Sequence, residues 1–308
     1  DPQVRIGVLP TGLTYFIREN REPRNQSRLR LALNAGSVLE DEDQLGLAHF
    51  VEHMAFNGTE NYSGNEIIAF LEQLGMQFGP DVNAYTSFDE TVYQLSVPTD
   101  DPELFAEAFA VLREWSDRLT FDPAEIDAER GVVIEEWRFG RGAQARMRDE
   151  QFPVIFGDSR YAERLPIGDP DLIAEFPREA AVRFYEDWYR PDLAAIVAVG
   201  DFDADEVEAL IREQFADFTG PEDPREREFF QIPDRDGTHY AIASDPETQF
   251  TQISVYSIQE GPAPPLQTEG PHCSDLSHPL KDYHPERIGN ADHDDNEQNQ
   301  HDNKAGIV

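Results

Sequence analysis

In the stretch His49-Phe50-Val51-Glu52-His53, two imidazoles and a carboxylate lie within five residues. Residues 46–56 around it have helical spacing, with Leu47, Phe50, Val51 and Met54 as the apolar positions. On a helix, side chains four apart project from one face, so His49 and His53 can share one metal ion. Glu52 lies about 60° around the axis from His49 at 100° per residue. From there its carboxylate could take a proton from a water beside the metal. A histidine pair on a helix is more often structural than ligating. Here, however, most sides of the helix are apolar, so these polar groups would be buried without compensation. A bound zinc ion resolves that conflict, and it requires a third protein ligand and one open position.

The third ligand is expected from a second helix. Asp122-Pro123 reads as a cap followed by proline at the first helical position, and the helix could run on to residue 147. Within it, Glu129 and Glu136 are seven apart and fall within about 20° of each other. Glu135 is about 120° from Glu129 and points elsewhere. A row of glutamates on a long helix is ordinarily a solvated face, but the phase selects Glu136 as ligand. Glu129, two turns earlier, is placed to assist proton transfer or to orient the site.

The elements around this pair are of mixed type. Residues 4–8 and 13–18 alternate as paired strands about the turn Pro10-Thr11-Gly12, and 29–33 forms another strand. Asn57-Gly58 ends the histidine helix, and a helix over 64–74 follows. Residues 78–87 and 91–97 read as strands, then 102–119 as a helix with one apolar face. A helix over 178–188, a buried strand over 193–199 and a helix over 203–215 complete the run. This order lacks a regular βαβ alternation and predicts an α+β fold, a largely antiparallel sheet with helices packed on one face. A linker-like Gly220-Pro221-Glu222-Asp223-Pro224 divides the chain. The expected organisation is a metal-binding domain over 1–220, the beginning of a second α+β domain over 225–258 with strands at 240–243 and 249–257, and a tail over 259–308. That tail is rich in Pro, His, Asp, Asn and Gln, and its composition predicts disorder.

Composition narrows the function classes. A length of 308 residues allows about two domains. A net charge of −37 argues against nucleic acid, whose phosphates need clustered Lys and Arg. Lys281 and Lys304 are the only lysines, consistent with a GC-rich genome that favours arginine or with a salt-rich habitat. The single Cys273 excludes an internal disulfide framework and a cysteine-based metal site. No apolar run reaches the length of a membrane span, and the first residues do not read as a signal peptide.

The stretch from His49 through Thr59 resembles the inverted zinc motif of the pitrilysin or insulinase family, peptidase family M16, which includes mitochondrial processing peptidase. Asn83-Ala84-Tyr85-Thr86-Ser87 and the block from Glu129 to Glu136 are similar to two further family blocks, in the expected order. The likeness spans residues 4–257 and is nearest the bacterial, often exported, PqqL-like branch. It implies a fold like that of LuxS and mitochondrial processing peptidase, one Zn2+ per chain held by His49, His53 and Glu136, and an endopeptidase in which Glu52 activates water. It also implies that peptides or unfolded protein segments add as a strand to the edge Asn83, Ala84 and Tyr85, with Asn83 near the scissile bond. A second M16-type half or subunit would enclose the substrate, and the location would be periplasmic or secreted. Because the family-like sequence stops near Ser257, the chain reads as an N-terminal portion whose proteolysis is weakened. Two other readings are a non-catalytic interaction subunit, which ordinarily loses the zinc motif, and a zinc hydrolase of small molecules on the same scaffold.

Overall fold

Alternation of apolar and polar side chains builds the sheet. The structure, a computed structural model, describes residues 1–73 and 75–258. Its strands are β1 (Arg5–Val8), β2 (Thr14–Glu19), β3 (Gln26–Leu33), β4 (Val82–Thr86), β5 (Thr91–Pro98) and β6 (Ala194–Gly200). They lie in the order β1-β2-β6-β3-β5-β4, antiparallel throughout except for the parallel pair β2–β6. In β3, Ser27, Leu29, Leu31 and Leu33 are buried while Gln26, Arg28 and Arg30 are exposed; Ala194, Ile196 and Ala198 of β6 continue the buried face.

Helices cover that face, as an α+β fold requires. They are α1 (Leu47–Met54), α2 (Glu66–Gln73), α3 (Pro102–Asp117), α4 (Pro123–Phe139), α5 (Ala143–Phe156), α6 (Arg160–Glu163), α7 (Pro170–Glu175), α8 (Arg178–Trp188) and α9 (Ala204–Gln214). α1 lies against β4 and β5, α3 against β3 and β5, and α9 against β2. α4 and α8 pack on α1, and α7 packs on α4. Among the described residues, no helix is long and apolar enough to cross a membrane.

α1 is fixed by its apolar side chains. Leu47, Phe50, Val51 and Met54 are fully buried, and Phe50 meets Phe176 edge to face at 4.8 Å between ring centres. Phe56, just past the helix, packs edge-on against Trp115 at 5.3 Å. Phe50→Ala is expected to destabilise the chain by about 3–5 kcal/mol through the cavity it leaves, as measured by urea unfolding.

Several expectations are corrected. The helix opening at Pro123 ends at Phe139, short of residue 147, because Gly140-Arg141-Gly142 interrupts it before α5 begins. The segments 240–243 and 249–257 contain no strand. Their apolar side chains Tyr240, Ile242, Ile253 and Val255 stand exposed, and neither segment pairs with a strand of the sheet. The expected tail, 259–308, lies outside the described residues.

Candidate metal centre

The helix that carries both histidines starts in an unusual way. Gly46 precedes α1 at φ 96° and provides no capping side chain. Instead Glu40, fully buried, folds back to accept hydrogen bonds from Gly46 N (3.0 Å) and Ala48 N (2.8 Å). A carboxyl group there satisfies two otherwise unpaired amides at the start of the helix. Gly168, at φ 72°, brings the turn before α7 so close that a Cβ on it would sit 2.2 Å from Gly46 Cα. Neither glycine can take a side chain without moving the start of α1.

On α1, the Nε2 atoms of His49 and His53 face each other at 3.3 Å. From α4, Glu136 places Oε2 3.3 Å from His53 Nε2 and Oε1 3.7 Å from His49 Nε2. One ligand atom from each of these three residues lies within 4.8 Å of the others. The edges of a tetrahedron with bonds of about 2.0–2.1 Å are about 3.4 Å long, so two nitrogens and one oxygen at these separations fit zinc. Glu135 turns away and pairs with Arg138.

Glu129, also on α4, approaches His53 from the other side of the ring. A carboxylate can only accept, so His53 Nδ1 donates to Glu129 Oε1 (2.7 Å), which leaves Nε2, facing His49 and Glu136, as the nitrogen that gives up its proton to bind a metal. Glu129 therefore lies behind a histidine rather than beside the three candidate ligand atoms, a position suited to orientation. His49 Nδ1 is buried and has no partner among the described residues.

Glu52 is buried and its Oε2 accepts from Thr86 Oγ1 (2.7 Å), on the edge strand β4. Asn83 and Tyr85 of β4 are exposed and Ala84 is half-buried. The Ala84 N–H donates to Asn83 Oδ1 (2.9 Å). The structure thus brings His49, His53, Glu136, Glu52 and Glu129 together and sets the edge strand beside them through Thr86. Sequence reasoning missed Thr86, Glu40 and Asn57. The first two come from distant or looped segments. Asn57, whose Nδ2 donates to Glu129 Oε2 (2.7 Å), was signalled by its spacing of four from His53.

The ionisable groups of this cluster act on one another. Burial first, then the neighbouring His53, hold His49 well below an ordinary histidine pKa. For His53, burial is outweighed by the carboxylates of Glu129 and Glu136, which raise it. Hydrogen bonding from His53, opposed by burial, holds Glu136 below the ordinary carboxylate value. Burial raises Glu52 against the pull of Thr86 and His53, which suits a carboxylate that must accept a proton near neutrality.

Burial also pushes Glu40 up to about 8 from 4.5, against its two backbone amides and the charges of Arg164 and Arg160. Between those two values, the folded chain holds a proton that the unfolded chain has released. Stability therefore falls as pH rises from 4.5 to 8, by at most about 1.4 kcal/mol per pH unit from this group. Urea unfolding at pH 5 and pH 8 is expected to show a steeper loss in the wild type than in Glu40→Gln.

Known proteins share this sequence and architecture. Residues 15–145 match the family model described as insulinase (peptidase family M16), and residues 175–269 match the peptidase M16 inactive domain. A zinc protease PQQL-like protein of Arabidopsis thaliana is 40% identical over 250 residues, covering 81% of this chain and 26% of that protein. The probable zinc protease PqqL of Escherichia coli is 38% identical over 258 residues, covering 83% of this chain and 27% of that protein. The crystal structure of the first half of the periplasmic protease PqqL from Escherichia coli superposes with a TM-score of 0.72 at 39% identity, covering 76% of this chain and 49% of that one. The chain spans about a quarter of the length of these curated relatives. With two family models matched in order and close likeness in sequence and fold, the chain belongs to peptidase family M16.

Proposed function

We propose that this chain carries the active site of a zinc-dependent endopeptidase acting on peptides or unfolded protein segments. The observation that carries the reading is the convergence of His49, His53 and Glu136, with the buried Glu52 beside them. One Zn2+ per chain fits these three donors. When bound, zinc supplies a Lewis acid that polarises the substrate carbonyl and acidifies water.

Glu52 then serves as general base, taking the proton from water and passing it to the leaving amine. Its raised proton affinity favours the first of these transfers, from water to the carboxylate. Thr86 holds the Glu52 carboxylate in place through Oε2. Glu129 fixes the His53 tautomer, so its role is orientation. Substrate adds as a strand alongside β4, read by Asn83, Ala84 and Tyr85, since β4 lies at the sheet edge. Asn83 would exchange its bond to the Ala84 amide for one to the incoming backbone.

We take residues 1–220 as the catalytic domain and 225–258 as the beginning of a second. The exposed apolar side chains of 240–257 support that reading, because they lack packing partners. The exposed Phe139 on α4, at 87%, supports a further M16-type half closing over the site. The likeness to the Escherichia coli periplasmic protease supports a periplasmic or secreted location. A peptide-library assay with and without a chelator tests the function: chelator-sensitive cleavage, restored by zinc, supports it. Zinc uptake without cleavage in any longer protein containing this chain would favour a non-catalytic subunit.

A further inference from the structure

We infer that Asn57 is a positioning residue for the metal centre, locking the Glu129 carboxylate that orients His53. This rests on the reading of the site as a zinc site. Asn57 lies four residues beyond His53 and eight beyond His49, continuing the histidine face past the end of α1. The chain stays on that face because the last turn tightens: Phe56 N donates to His53 O and Asn57 N to Met54 O, both at 3.0 Å. Its backbone is therefore already held, and the side chain is free for another task. That side chain donates from Nδ2 to Glu129 Oε2 at 2.7 Å, while Glu129 Oε1 accepts from His53 Nδ1 at 2.7 Å.

Both oxygens of Glu129 are thus occupied, one by a ring nitrogen and one by an amide. A carboxylate held at only one oxygen can pivot about its last torsion, which has a broad and shallow potential. The His53 ring would follow that pivot, and its Nε2 would lose the alignment that puts it 3.3 Å from both His49 Nε2 and Glu136 Oε2. Asn57 removes the pivot. It reaches no metal and acts through Glu129, as outer partners of metal-bound histidines do.

Zinc affinity, measured by competition with a chromogenic chelator on the full chain, tests this without any assay of turnover. Asn57→Ala is expected to weaken zinc about tenfold. Asn57→Asp keeps the shape but replaces the donor with a second carboxylate, and is expected to weaken zinc at least as much. It carries the test if Asn57→Ala lowers the metal-free melting temperature. In a Glu129→Ala background, Asn57→Ala is expected to have no further effect, because the group through which it acts is gone. Unchanged affinity in Asn57→Asp, or fully additive losses in the double variant, would overturn the role. A wild-type chain that takes up no zinc would instead overturn the reading of the site itself.

Discussion

Glu52→Gln is expected to abolish peptide cleavage while leaving zinc content unchanged. Gln matches Glu in size and can still accept from Thr86 Oγ1, so the hydrogen bond at 2.7 Å and the buried packing of α1 persist. The substitution removes only the group that can receive a proton. General base catalysis contributes about 10²–10⁴ in rate, and the loss is expected near the top of that range because no second carboxylate takes over. Glu129 is occupied by His53 and Asn57, and Glu136 faces the histidines. The measurement is hydrolysis of a quenched fluorescent peptide by the shortest protein that cleaves, alongside elemental analysis. A rate within tenfold of wild type would remove Glu52 from the mechanism.

His49→Ala and His53→Ala are each expected to lower zinc affinity by more than about 100-fold, beyond the range typical of outer partners. Each leaves one imidazole and one carboxylate, too few donors for a stable tetrahedral site. The two variants should differ without metal. His53 holds Glu129 through its ring, so His53→Ala also leaves Glu129 Oε1 without its partner, whereas His49 Nδ1 has no partner to lose among the described residues. Elemental analysis after dialysis reads the metal, and thermal melting of the metal-free chains reads the second effect. Full zinc occupancy in either variant would show that the ion is held elsewhere.

The five central residues were legible because helical phase is local. His49, Glu52 and His53 lie within one turn and a half, and Glu129 and Glu136 share a phase over two turns, so each set is placed by backbone geometry alone. What lay beyond reach depends on long-range folding. Thr86 is 34 residues from Glu52, and their contact exists only because β4 lies against α1. Glu40 caps α1 only because the chain between 40 and 46 doubles back. The parallel pairing of β2 with β6 joins residues about 180 apart, which alternation cannot reveal. At 240–257 the apolar alternation was real, but a strand forms only by pairing with another, and this segment pairs with none among the described residues.

The two halves of the metal centre are held with unequal firmness. α1 is wedged among buried aromatic rings, whereas α4 buries only Ile126 and Val133 and is held by polar contacts, Arg130 donating to Ile173 O and Phe176 O and Glu129 accepting from His53 and Asn57. An ion gripping His49, His53 and Glu136 would therefore act as a rivet between a rigid plate and a lightly fastened one. Part of its binding energy would go into seating α4, so chelation would loosen one helix rather than the whole molecule.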